Sequence, residues 1–255
     1  MNGELLSLGW PLALVLVAFV VAAATVTGVA GLGPWLAPVT AAVRCVVQLG
    51  AVSLVIGLAL GSMVWTSVFV VGMVVVAAGT AARRVTGVLQ SRGMWMVLPI
   101  AAGVVPTLGL GLVSSVIPAE PVAVLPSAGI LIGGAMTATT LAGRRLVEEL
   151  DSQHGAFEAA LSLGFTRRQS VGVVARGAAA LALVPGQDQA RTVGLVTLPG
   201  AFVGVLLAGG SAVEAGAAQA FILIALLAVQ ALAVAVIVEL IAAALLLPAS
   251  LTLAP

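Results

Sequence analysis

Residues 184–200, VPGQDQARTVGLVTLPG, hold an acid and a base three positions apart, Asp188 and Arg191. On a helix this spacing puts both side chains on one face, where they can neutralise each other. With Gln187 beside them and Pro199-Gly200 following, the set is suited to holding and passing a polar solute. Met136, Thr137, Thr139 and Thr140, in GAMTATT, offer a thioether and three hydroxyls to the same route. Their structural alternative is that the threonines bond their own helix backbone while Met136 fills a gap between helices. A second set, Glu148, Glu149, Asp151, Glu158, Arg167 and Arg168, crowds into 146–171, and 144–176 carries nine of the nineteen charges in 33 residues.

Other chemistries are excluded by what is missing. One histidine, His154, cannot build a metal site, so no metal ligands are assigned. One cysteine, Cys45, excludes an intrachain disulfide within these residues; beside Arg44 it reads as buried packing rather than a reactive thiol. With no lysine there is no Walker A loop, whose lysine holds nucleotide phosphates. If ATP powers this protein, another chain binds the nucleotide and its magnesium, and this chain carries no cofactor. An intramembrane hydrolase fits poorly, since no serine or paired aspartates stand opposite one another in the apolar runs. No nucleic-acid partner is expected.

The elements that must position these residues are membrane spans. The 255 residues are 62% hydrophobic and 7% charged, and mean hydropathy is +1.26. A soluble domain is nearer half apolar and a quarter charged. Apolar runs of about 20 residues, enough to cross ~30 Å of hydrocarbon, recur along the chain. The fold class is therefore all-α, a polytopic membrane protein of about seven transmembrane helices in a single domain, multi-pass in the cell inner (plasma) membrane and bathed in lipid. MNGELLSLGW carries Glu4 and no basic residue, so it leads into a span rather than forming a signal peptide.

Span 1 is read at 10–28, and the charge-free 45–82 suffices for two crossings turned near Gly61-Ser62. Arg44 and Gln48 start the second span and snorkel to the interface. Arg83, Arg84 and Arg92 mark a loop. Span 4 covers 94–117, bent at Pro99 and Pro106; IPAEP then turns into span 5 at 122–142. The last run is 217–247, with Glu239 at the inner surface. If 83–93 and 143–176 are cytoplasmic, the opposite segments hold Glu4, Glu120 and Glu214 and no arginine, as the positive-inside rule expects. This sets the N-terminus outside and the C-terminus inside. GLALG (57–61), GILIG (129–133) and GAFVG (200–204) are patterns that allow close helix approach.

Two readings of 184–200 stay open. In one, a span covers 192–210 and Gln187, Asp188 and Arg191 lie at the surface. In the other, the crossing begins near 177, breaks at Pro185-Gly186 and takes Asp188 and Arg191 to depth, with Pro199-Gly200 opening a short outer helix. Broken backbone and ionisable groups at depth mark functional sites.

The charged stretch has its own design. Leu146, Val147 and Leu150 extend span 5 at helical spacing, with Glu148, Glu149 and Asp151 turned to water. His154-Gly155, read as a solvated loop, interrupts it. AFEAALSL (156–163) is a short helix that Gly164 can end in a left-handed cap. Thr166 to Gln169 has the form of a capping box. Arg167 and Arg168 then fall in a helix's first turn, where the macrodipole disfavours cations. One reading is a solvated loop obeying the positive-inside rule; the other is a docking knob for a soluble partner.

Glu158, Ala159, Ala160 and Gly164 fit the EAA-x-x-x-G core of the coupling loop in ABC-transporter permeases, although Val174, Arg176 and Gly177 replace the downstream residues of the importer form. IGGAMTATTLAGRRLVEEL (132–150), EAALSLGFTRRQS (158–170), VGLVTLPG (193–200) and LLAGGSAVEAGAAQ (206–219) together resemble the FetB-type permeases, a family linked to iron export with plant relatives linked to aluminium tolerance. This chain has Gly134 where that family carries asparagine, and its 188–191 and 202–205 also depart from the family pattern. The resemblance implies a homodimeric permease paired with a separate ATP-binding subunit, an exporter whose default cargo is a metal ion such as iron. It implies coupling through Glu148, Glu149, Glu158, Ala159, Ala160, Gly164, Arg167 and Arg168. A self-contained secondary transporter driven by an ion gradient is the alternative.

Overall fold

A computed structural model describes residues 9–87 and 91–246; Glu4 and the end of the last predicted run lie outside them. Among the described residues the chain is helical, with no strand beyond an isolated bridge between Val193 and Thr197. It forms two compact units, one ending at Ala59 and one beginning at Leu60.

The first unit is a pair of apolar helices, α1 (Trp10–Val29) and α2 (Leu36–Leu60). Pro11 and Pro38 sit in their first turns, where a missing N–H costs no helical bond. That tolerance lets α2 start at Leu36, so Arg44 lies eight residues inside the helix rather than at its start. Cys45 is exposed, contrary to the packing expectation. It lines an apolar groove of about 920 Å3 between α1 and α2.

The second unit is built on four long helices: α3 (Met63–Thr86), α4 (Val97–Val113), α5 (Pro121–Ser152) and α11 (Ala212–Ala242). The turn before α3 falls at Gly61-Ser62 as expected, because the Ser62 hydroxyl accepts from the Trp65 N–H. Gly87, at φ +76°, closes α3 just beyond Arg83 and Arg84. A 3-10 turn, Ser91–Met96, leads into α4, and the helix stops at Val113, short of 117, as Ser115 takes φ +58°. Pro121 and Ser211 open α5 and α11.

α5 is central. Ala128, Leu131, Ile132, Ala135, Ala138, Ala142, Leu146 and Leu150 form one stripe at helical spacing, fully buried against α3 and α11. Small residues set the approach. A Cβ at Gly103 would stand 2.7 Å from the Val229 carbonyl oxygen, and one at Gly143 would stand 2.9 Å from Val85. The glycine patterns expected to do this mostly face open space: Gly57, Gly133, Gly200 and Gly204 have no neighbour within 4 Å.

Between α5 and α11 the chain forms short helices: α6 (His154–Ser162), α7 (Arg167–Val174), α8 (Arg176–Ala180), α9 (Val184–Thr192) and α10 (Gly200–Leu207), with a 3-10 turn at Leu181–Leu183. Among the described residues, six helices are long and apolar enough to cross a membrane. A bent pair, Arg167–Val174 with Arg176–Thr192, supplies a seventh if counted as one span.

Candidate functional site

The charged ends of three long helices of the second unit gather together. Val85 and Ile237 both approach Gly143, which brings the C-terminal ends of α3, α5 and α11 side by side. At 32 residues, about 48 Å at ~1.5 Å each, α5 outruns the hydrocarbon layer and carries Arg144 to Asp151 beyond it. Glu148 is exposed and lies 3.7 Å from both Arg144 and Arg145. Glu149, half-buried, accepts from the Gln153 side chain.

At Gln153 the chain turns into α6, which begins at His154 rather than 156. His154 is thus helical, its Nε2 lying 3.2 Å from Glu158. Phe157 and Ala160 face inward, with Phe157 wholly buried in the same core that holds Leu150 and Val171. Glu158 and Ala159 face out. Gly164 takes φ +88°, and the turn is held by the Gly164 and Phe165 N–H groups donating to Leu161 and Ala160. Thr166 and Gln169 complete the capping box of α7. This turn points two apolar side chains outward, Leu163 (79% exposed) and Phe165 (43%). Neither has a charge or motif to mark it in the sequence, though Leu163 lies off the face defined by Phe157 and Ala160.

The two cations at the start of α7 find different surroundings. Arg167 is half-buried, and its Nε and Nη2 meet no acceptor among the described residues. Arg168 reaches across to α11, where its Nε lies 2.6 Å from Glu239, and Arg176 Nη2 meets the other Glu239 oxygen at 3.4 Å. Glu239 is therefore no mere snorkelling acid: it ties α7 and α8 to the last helix.

From there the chain climbs along α11 in the opposite direction. Arg176 lies at the level of Glu239. A Cβ at Gly186 would overlap Gln230 Oε1, and the Phe202 N–H donates to Gln219 at 3.2 Å. Nine residues separate Glu239 from Gln230 and eleven separate Gln230 from Gln219. At ~1.5 Å per residue the three levels span about 30 Å, with Gly186 near the middle. α9 begins at Val184, after the 3-10 turn, so Pro185 sits in its first turn, where no helical bond is lost, and the helix continues past Gly186. The break falls instead at 193–199, so no helix covers 192–210, while Pro199 does cap a new helix at Gly200.

Gln187, Asp188 and Arg191 are exposed on α9, and Arg191 Nη1 donates to Asp188 Oδ1 at 3.1 Å. Pro199 and Gly200 line a cleft of about 1030 Å3 together with Gln189, Glu214, Gln219 and Ser127. Met136 packs against the core, and Thr137 is exposed with its hydroxyl bonded to the Gly133 carbonyl. Thr139 and Thr140 are buried with hydroxyls that meet no partner among the described residues, as is Gln230 Oε1. Gln219 and Gln230 were not anticipated; both are polar residues inside an otherwise apolar run. No group of three or more His, Cys, Asp or Glu comes together among the described residues.

The model of the Uncharacterised protein family (UPF0014) matches residues 10–246. This chain is a UPF0014 family member. The UPF0014 protein YjkA of Bacillus subtilis is 30% identical over 197 residues, 76% of this chain and 78% of that one. The rice membrane protein STAR2 (Oryza sativa subsp. japonica) is 38% identical over 154 residues, 60% of this chain and 54% of that one. The probable iron export permease protein FetB of Escherichia coli K12 is 36% identical over 121 residues, 48% and 46% of the two chains. The chain thus spans about half the length of the rice and E. coli relatives that it matches. No solved structure gives a significant match. The family assignment agrees with the resemblance read from the sequence, and this UPF0014 protein is a multi-pass, all-α membrane protein. A Cβ at its Gly134 would press on the movable end of the Leu226 side chain and stand 3.5 Å from Gln230 Nε2.

Proposed function

We propose that this chain is the membrane permease subunit of an ABC transporter, working as a homodimer and driven by a separate ATP-binding subunit that carries ATP and magnesium. The observation that carries the reading is the α6–α7 turn. A short helix anchored by Phe157 presents Leu163 and Phe165 outward among charged groups, beyond the apolar length of α5. Apolar side chains held out on a water-facing, charged segment fit a pocket on a soluble partner. Arg168, Arg176 and Glu239 would pass movement of that turn to α11. Glu148, Glu149, Glu158, Ala159, Ala160, Gly164, Arg167 and Arg168 make up or flank the docking surface, on the cytoplasmic side with the N-terminus outside.

The cargo route would follow α9 and the cleft at Pro199-Gly200, with Gln187, Asp188 and Arg191 along it and Met136, Thr137 and Thr139 nearby on α5. The relative FetB, named as a probable iron export permease, supports export with iron as the default cargo. A self-contained secondary transporter would need a free titratable group at depth for its coupling ion, whereas Asp188 is paired with Arg191.

A photo-crosslinking residue in place of Leu163, activated in native membranes, should give an adduct with a nucleotide-binding protein. Adducts with lipid alone would refute the docking role.

A further inference from the structure

Of all the polar groups in the second unit, those on α9 are the hardest to reconcile with a protomer surrounded by lipid. Gln187, Asp188, Gln189 and Arg191 are all exposed, and the side chains of Asp188 and Arg191 are 59% and 70% accessible. Yet Gly186, on the same helix, lies at the level of Gln230, about midway along the 30 Å between Glu239 and Gln219. Charged side chains at that depth face a bundle interior or a water-filled cavity, not hydrocarbon.

A second observation, independent of charge, concerns the next segment. Residues 193–199 are non-helical, and they lie between the levels of Gln230 and Gln219. Irregular backbone at membrane depth is tolerated only where protein or water covers it. Here the covering must also be apolar in part, because Leu195 and Val196 are 90% and 77% exposed. Water alone satisfies the ion pair but not these two side chains.

We propose that α9 and 193–199 face a second copy of this chain across a two-fold axis at mid-membrane. This rests on the homodimeric reading above and assigns its interface. In such a pairing each surface meets itself. Asp188 of one protomer then lies against Arg191 of its partner, and the reverse, giving a four-membered ring of alternating charge with no net excess. Leu195 and Val196 bury against the partner, and the Gln187 and Gln189 amides border the aqueous path between protomers.

The test uses the full chain in native membranes with Cys45→Ser, so that added thiols are unique. Gln187→Cys and Leu195→Cys, made separately, should each give a covalent dimer with a short bismaleimide. Asp188→Arg sets four arginines together and should lower the dimer fraction in mild detergent at least tenfold. The exchange Asp188→Arg/Arg191→Asp should restore it, which a merely misfolded variant would not do. A stable dimer in which neither cysteine crosslinks and Asp188→Arg changes nothing would overturn this interface alone. Absence of any dimer with the native sequence would overturn the homodimeric reading with it.

Discussion

A methyl group at position 186 probes the packing of α9 directly, since Gln230 Oε1 already occupies the space a Cβ needs. That amide is the movable end of a side chain, so Gly186→Ala should cost little in thermal stability, whereas Gly103→Ala meets the Val229 backbone and should cost about 1–3 kcal/mol in detergent. Equal losses in the two variants would show that Gln230 cannot move aside. Gly164 is a backbone case. At φ +88° a side chain is strained, by roughly 1–2 kcal/mol. Gly164→Val should leave the bundle folded but speed hydrogen exchange across α6 and the start of α7. At this scale much was legible. The Gly164 cap, the Thr166–Gln169 box and the Asp188–Arg191 pair follow from neighbours within four positions. Gly186 against Gln230, and Glu239 against two arginines, were not legible, because each pairs residues more than forty positions apart.

Helices show the same division between local and distant causes. The overhang of α5 was readable from Leu146, Val147 and Leu150 continuing its stripe past the last apolar run. The break at 193–199 was misplaced to Pro185-Gly186, since proline reads as a breaker unless the helix is known to restart just before it. The glycine patterns at 57–61, 129–133 and 200–204 mostly face open space in the protomer, and close helix contacts fall at glycines outside them, Gly103 and Gly143 among them. The Arg168–Glu239–Arg176 cluster belongs to this scale, because one carboxylate holds three helices. Exposed pairs each contribute about 1 kcal/mol or less, so Glu239→Gln should barely move the melting temperature. Its predicted effect is local: faster hydrogen exchange in α7 and α8 with α3 to α5 unchanged. Unchanged exchange in α7 and α8 would remove Glu239 as their tie to α11.

For the whole molecule, apolar run length foretold a multi-pass helical membrane protein. The climb of 176–202 along α11 follows the second of the two readings open for 184–200, a broken crossing begun near 177 with a short helix opened by Pro199-Gly200. What apolar run length and arginine placement could not supply is the non-helical stretch at 193–199. A soluble motor is proposed to seat on the α6–α7 turn. The most direct test of this seating is purification of the tagged chain from native membranes in mild detergent, with quantitative mass spectrometry and an ATP-hydrolysis assay on the product. Leu163→Asp and Glu158→Lys variants would be run beside the native sequence. The account predicts a near-equimolar ATP-binding protein and measurable hydrolysis, both lost in the variants while the permease remains folded. A preparation free of any ATPase, or one whose ATPase stays bound and active in both variants, would contradict it.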